Sequence, residues 1–424
     1  MSVTGTVSPG NPALGRMFLL SKTQAILTWV FVLWIFSGAF VLIEPAPYEL
    51  LFLLALGLGL ASGLRLHRET LPLLYIFLLF VPFGLIGAFQ VRRMELVHAL
   101  IYNLVTIFLF LTSYFAANYI AQSPFRRMRL LAKAYLAAAV ITALVGTLAY
   151  LNLIPGGDLL LLYGRAKAFF KDPNVYGPFL VLPAMFALQR TLLGTRREAI
   201  WGGAAYMILF VGIFVSFSRG AWGHLAASSL MVFLLCFFLE ARTQDKVRML
   251  LLAVGGAMAL SAALVGLLNV EPVAELFAQR FSVTQSYDTG ETGRFGRIGY
   301  AIDLALTHPW GLGPLEFSWL RIAEQPHNTY INVFHAYGWG GGLTYLVLVL
   351  WTLGRGAAGL VHRTPNRLLL IPVYATFVPL VLLSGIIDTD HWRHWFLVAG
   401  LVWGVVAGRS IVVSEQCTGQ RALP

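Results

Sequence analysis

The sequence predicts an all-α, polytopic membrane protein of about twelve transmembrane helices. Three observations lead there. The chain is 58% hydrophobic and only 12% charged, far from the soluble average of roughly 25% charged. Its mean hydropathy is +0.75. Apolar runs of about 20 residues, the length that crosses a hydrocarbon core of roughly 30 Å, recur along nearly all of it. Taken in order, these runs predict helices over 25–43, 48–64, 71–89, 96–121, 130–153, 174–192, 199–216, 220–239, 248–269, 329–353, 367–387 and 394–410. The expected organisation is one integral membrane domain over 1–424, with a long loop, 270–327, between the ninth and tenth helices.

The start, MSVTGTVSPGNPALGR, has no basic segment leading into a short apolar core and small-residue cleavage site, so it reads as a polar tail before the first span. Cys236 lies in an apolar run and Cys417 in the C-terminal tail, contexts that do not suit a disulfide between them. Orientation follows from basic residues in short loops. Alternate loops carry Arg65 and Arg68; Arg126, Arg127 and Arg129; Arg190, Arg196 and Arg197; Arg242, Lys246 and Arg248; and Arg355, Arg363 and Arg367. That side is expected to be cytoplasmic, and the 270–327 loop then faces outward, into the periplasm of a bacterium with an outer membrane. Within this loop GRFGRIGYAIDLALTHPWGLG has helical apolar spacing and stops at His308–Pro309 and glycines, predicting a short amphipathic helix.

The formal charge is +11. No nucleic-acid partner is implied; membrane lipid, cytoplasmic loop bias and an anionic substrate all fit it. Basic residues on the outward side oppose the insertion bias: Arg92, Arg93, Arg165, Lys167, Lys171, Arg219, Arg280, Arg294, Arg297, Arg321 and Arg393. Any one of these can snorkel to headgroups or pair with a loop carboxylate. Together they suggest a seat for an anion, Arg219 most of all, since VSFSRGAWGH puts it in a tight turn between two apolar helices. Outside the cytoplasm there is no nucleotide-activated donor, and a polyprenyl pyrophosphate-linked glycan fits instead. The guanidinium fork suits its diphosphate.

Four segments then carry a resemblance. His327–Asn328, nine residues, then GWGG from Gly338 to Gly341 resembles the H-N-x9-G-x-x-G pattern of bacterial O-antigen ligases, within the O-antigen ligase and polymerase superfamily. SFSRGAW around Arg219 is similar to that family's S-R-G element, and TGRFGRIGYAIDLALTHPWGLGP to its outer-loop helix. KDPNVYG, with Asp172, Pro173 and Asn174, resembles a fourth element. The resemblance implies a GT-C-like membrane architecture. It also implies transfer of an undecaprenyl pyrophosphate-linked O-antigen to a sugar hydroxyl of lipid A-core, at the inner membrane, with the active site facing the periplasm and no cofactor or metal. The catalytic set it implies is His327, Arg219 and Arg294. Around it, Arg165, Lys167, Asn174, Arg297, Asn328, His335 and Asp390 are candidates for substrate binding. Guanidinium neighbours would keep His327 neutral, fit to take the acceptor's proton, and direct displacement would invert the anomeric carbon.

Plainer readings stand beside these. A histidine at a helix mouth is commonly a hydrogen-bonded structural group, and His335, two helical turns on, suits packing. The glycines 338, 340, 341 and 342 suit close helix approach. Asp172 and Asn174 suit the first turn of a helix around Pro173. Asp388-Thr389-Asp390 has a spacing used elsewhere to hold a divalent cation, or its carboxylates can pair with Arg393 or the other arginines. Two other functions compete. A polymerase shares the donor and differs only in a lipid-linked acceptor. A transporter predicts inverted repeats and mid-membrane charges, whereas the charges here sit at the helix ends.

Overall fold

The computed structural model describes residues 12–281, 290, 293–320 and 324–417. The chain is an all-α polytopic membrane protein. Its helices are α1 (Pro12–Ser37), α2 (Pro47–Ala61), α3 (Leu71–Ala88), α4 (Leu96–Gln122), α5 (Pro124–Tyr150), α6 (Pro173–Phe179), α7 (Val181–Leu193), α8 (Arg196–Val215), α9 (Arg219–Leu235), α10 (Thr243–Leu268), α11 (Glu271–Phe281), α12 (Arg294–Thr307), α13 (Thr329–Val361), α14 (Arg367–Leu383) and α15 (Arg393–Cys417). Eight helical segments among the described residues are long and apolar enough to span a membrane, and three shorter apolar ones accompany them. The helix expected over 174–192 is two pieces, because Pro178 and Pro183 interrupt its hydrogen-bond ladder. Arg126, Arg127 and Arg129, expected in a loop, sit in the first turns of α5.

Close packing of α15 on α4 sets up one end of the bundle. Gly400, Gly404 and Gly408 recur every fourth residue of α15, and a Cβ at Gly404 would stand 2.7 Å from Ala117 O of α4. Only bare backbone allows that approach. The segment just before α15 is thereby laid against the start of α4, where Tyr102 Oη donates to Asp390 Oδ2 at 3.3 Å. At the same end Arg393 pairs with Glu49 (2.5 Å) and Glu44 (3.1 Å), and Lys171 with Glu44 (2.7 Å). The opposite end has its own ties, Arg355 to Glu69 and Arg367 to Glu240.

Of the glycines after His335, Gly340 packs closely as expected, a Cβ there running into the Phe83 ring of α3, whereas Gly338 acts differently. Gly338 has φ +70° and ψ −174°, a conformation essentially reserved for glycine, and it breaks α13. A break orphans backbone groups, and the loop after α12 takes them up. Leu312 N donates to His335 O (2.7 Å), Gly313 N to Ala336 O (3.0 Å), and Trp339 N to Pro309 O (2.9 Å). GWGG and PWGLG are thus two halves of one joint, closed by Trp339 Nε1 donating to Ala305 O of α12 at 2.8 Å.

Candidate active site

His327 sits in the turn before α13 with φ +57°, in the left-handed region that histidine enters more readily than most residues. Asn328 fixes the turn from both sides. Its Oδ1 accepts from Ile331 N (3.1 Å) as the N-cap of α13, while its Nδ2 donates to Gly385 O at the end of α14 (2.8 Å). Thr329 N donates to Ser384 O at 2.9 Å. The imidazole, one-third exposed, lies between two carboxylates, with Nδ1 3.4 Å from Asp388 Oδ2 and Nε2 3.7 Å from Glu324 Oε2. Asp388 Oδ2 also accepts from His327 N at 3.2 Å. Acidic groups, Asp388 and Glu324, thus flank His327 where guanidinium neighbours were expected, and Arg297 pairs with the second of them.

Each carboxylate has its own electrostatics. Burial holds Asp388 above the ordinary carboxylate range, against the pull of His327 and with the charge of Asp390 adding to it. Glu324 is held below that range, chiefly by its hydrogen bond to Arg297. Asp390 Oδ2 is engaged by Tyr102, by Asn332 Nδ2 (3.2 Å) and by His391 Nδ1 (3.3 Å). The pairing of these aspartates with Arg393 does not occur, since Arg393 is taken by Glu44 and Glu49. Among the described residues no group of three or more His, Cys, Asp or Glu is arranged to hold a metal ion.

The S-R-G and K-D-P-N stretches, with 43 residues between them in sequence, meet. Ser218 caps α9, placing Arg219 at its first turn, and Asp172 caps α6 through Asn174 N at 2.6 Å. Buried Arg165, from a small hairpin (Leu161–Leu162 paired with Arg165–Ala166), ties the two together: Nε donates to Ser216 O (2.9 Å) and Nη2 to Asn174 Oδ1 (2.8 Å). Lys167, half-buried beyond the hairpin, donates its backbone N–H to Leu160 O at 3.0 Å. This cluster abuts the His327 turn, because Gly220 lies against Leu383, a Cβ there standing 2.6 Å from its Cδ1, and residues 384 and 385 hold Asn328 and Thr329. Arg294 opens α12 one turn before Arg297, so the two share a helix face. Arg219 and Arg294 are half-buried and both have polar partners.

Residues 204–346 match a family model described as O-antigen ligase. This segment is of the O-antigen ligase superfamily. The O-antigen ligase match takes in the Arg219 turn, α12, the His327 turn and the Gly338 break, the parts that the joint of α12 and α13 brings together. Arg165, Asn174 and the 388–394 loop lie outside it, yet Arg165 and Asp388 bond to residues inside it, and Asn174 is tied to it through Arg165. No curated protein matches the chain.

Several expected site residues are engaged by protein groups. Arg165, 7% exposed, donates to Ser216 O and Asn174 Oδ1; Arg297, 4% exposed, pairs through Nη1 with Glu324; Lys171 and Arg393 pair with glutamates; and Arg321 lies outside the described residues. His335 is fully buried against Phe317 at 5.2 Å between ring centroids. Sequence reasoning missed Asp388 and Glu324 as partners of His327. The available signal was the scarcity of acids, 19 against 30 bases, on a face crowded with arginine.

Proposed function

We propose that the protein is an O-antigen ligase. It moves a glycan from undecaprenyl pyrophosphate to a sugar hydroxyl of lipid A-core, at the periplasmic face of a bacterial inner membrane. The superfamily match makes glycosyl transfer from a lipid-linked donor the coarse reading. The observation that supports attack by a hydroxyl acceptor under base catalysis is the 3.4 Å approach of His327 Nδ1 to Asp388 Oδ2. A carboxylate that accepts a hydrogen bond from Nδ1–H holds the proton on that nitrogen and leaves the lone pair on Nε2, the general-base tautomer.

In this reading Nε2 takes the proton of the acceptor hydroxyl as its oxygen attacks the anomeric carbon. The bond from that carbon to the pyrophosphate oxygen breaks, with inversion, and the diphosphate leaves with its charge met by Arg219 and Arg294, each at the start of a helix whose dipole favours an anion. Asn328 orients its neighbour. The arginines supply the positive charge without a metal ion. The polymerase reading shares all of this except the acceptor. Deleting the gene separates the two: core-only lipopolysaccharide with accumulated long lipid-linked glycan supports the ligase, whereas decoration by single units contradicts it and supports the polymerase.

A further inference from the structure

The helix α12 has three kinds of face. Arg297, Ala301 and Ala305, four residues apart, fall on one side and are buried, with α13 as the neighbouring helix. Asp303 and Thr307 lie on the far side, polar and exposed. Between these two sides runs a row of Phe295, Ile302 and Leu306, which are 68%, 42% and 64% exposed. A helix resting on a protein in water needs one apolar stripe, and the buried side of α12 already supplies it. A second apolar row beside the first calls for a second apolar neighbour.

The joint with α13 says what that neighbour is. From Thr329 to Val361 α13 is long and apolar enough to span a membrane, and Trp339, Leu343, Val347 and Leu350 form an exposed row along it, the side it turns to lipid. Trp339 stands first in this row, and its Nε1 donates to Ala305 O of α12 at 2.8 Å. Leu306 is the next residue. The lipid-facing row of α13 therefore meets the exposed row of α12 at the joint. Trp310, exposed in the loop after α12, adds a second indole at this level, as aromatic side chains gather at membrane surfaces. A row of three side chains falls short of the roughly 800 Å² per partner that a stable protein interface takes, whereas acyl chains need only a strip. We propose that α12 is an interfacial helix, seated in the lipid leaflet at the His327 end by Phe295, Ile302 and Leu306, with Asp303 and Thr307 turned to water. The leaflet then sets the height of Arg294, which opens the same helix. This seat in lipid does not depend on which reaction the protein performs.

The test uses the full chain in vesicles of phosphatidylethanolamine and phosphatidylglycerol. Phe295→Cys, Ile302→Cys, Leu306→Cys, Asp303→Cys and Thr307→Cys are each made with Cys417→Ser and spin-labelled, Cys236 being buried. Oxygen, which concentrates in hydrocarbon, is expected to relax the first three labels more than a water-soluble nickel chelate does, and the order to reverse at the last two. Nickel collisions as frequent at 295, 302 and 306 as at 303 and 307 overturn the proposal, because the row then faces water. Collisions with neither reagent overturn it as well, because protein then covers the row. The unsubstituted protein gives a second reading that no folding defect can cloud. A phosphatidylcholine with a diazirine on its acyl chain should leave adducts on residues 295–306 as well as on the 339–351 stretch of α13, and adducts on α13 alone overturn the seat in lipid.

Discussion

His327 is expected to be indispensable to transfer and dispensable to folding. It is one-third exposed and packs no core, so His327→Ala should insert normally while transfer in purified protein falls about 10²–10⁴-fold, the range for losing a general base. Near-normal activity removes it from the mechanism. Asp388 gives a pH signature. Its carboxyl protonates above the ordinary range, and once protonated it no longer accepts the Nδ1 proton, so the rate should fall on acidification earlier than an ordinary carboxylate predicts. Asp388→Asn should be slower and lack that limb of the pH–rate profile; an unchanged limb assigns it elsewhere. Arg219→Lys and Arg294→Lys should each lose at least about tenfold, roughly 1.4 kcal/mol, because lysine keeps the charge but not the fork. EDTA should leave the rate of wild type unchanged, and a tenfold loss restored by magnesium would falsify the arginine-only account. At this scale the roles proposed for His327, Arg219 and Arg294 come from short motifs. The pairing of Asp388 with His327 was not legible, because the two lie 61 residues apart in sequence and nothing in local spacing reports a contact closed by tertiary packing.

At the scale of elements, helix positions were legible because apolar runs of fixed length admit one solution in lipid, and α12 ends where His308–Pro309 stop it. The break in α13 was not. Gly338 to Gly341 read as a packing ridge, since a left-handed glycine and a small interface residue leave the same letter in a sequence. Gly338→Ala tests the difference. The substitution strains a backbone conformation that costs about 1–3 kcal/mol for other residues, and it drives a Cβ into Pro309 O. It should lower the melting temperature in detergent and open the 308–313 loop to protease, with transfer lost as well. Gly354, with open space around it, should tolerate alanine, and equal tolerance at both positions contradicts the joint.

For the whole molecule, the two-ended distribution of charge was legible and its use was not. Outward basic residues suggested one anion seat. Besides the arginines proposed to meet the diphosphate, Glu44, Glu49, Glu316 and Glu324 share the work of fastening loops at that end, Glu316 accepting from the backbone N–H of both Arg93 and Met94. Topology is testable at exposed positions in a background with Cys417 replaced by serine. Tyr163→Cys, 84% exposed at the hairpin tip, should react with an impermeant thiol reagent from the periplasm, and Val361→Cys, 78% exposed at the end of α13, only after the inner membrane is opened. The reverse pattern inverts the molecule and removes the site from the periplasm.

The Gly338 break also settles how polar groups stand at the head of an apolar helix. An unbroken α13 of 33 residues would be roughly 50 Å long, far more than a hydrocarbon slab of about 30 Å. From Trp339 to Val361 the same helix runs roughly 35 Å, a length that a modest tilt matches to the slab. The roughly two and a half turns above the break, with Asn332 and His335, then ride at headgroup depth with His327 over them. In the proposed reaction the His327 turn would stand at the height of a lipid-borne diphosphate, a position set by the hydrophobic thickness of the membrane itself.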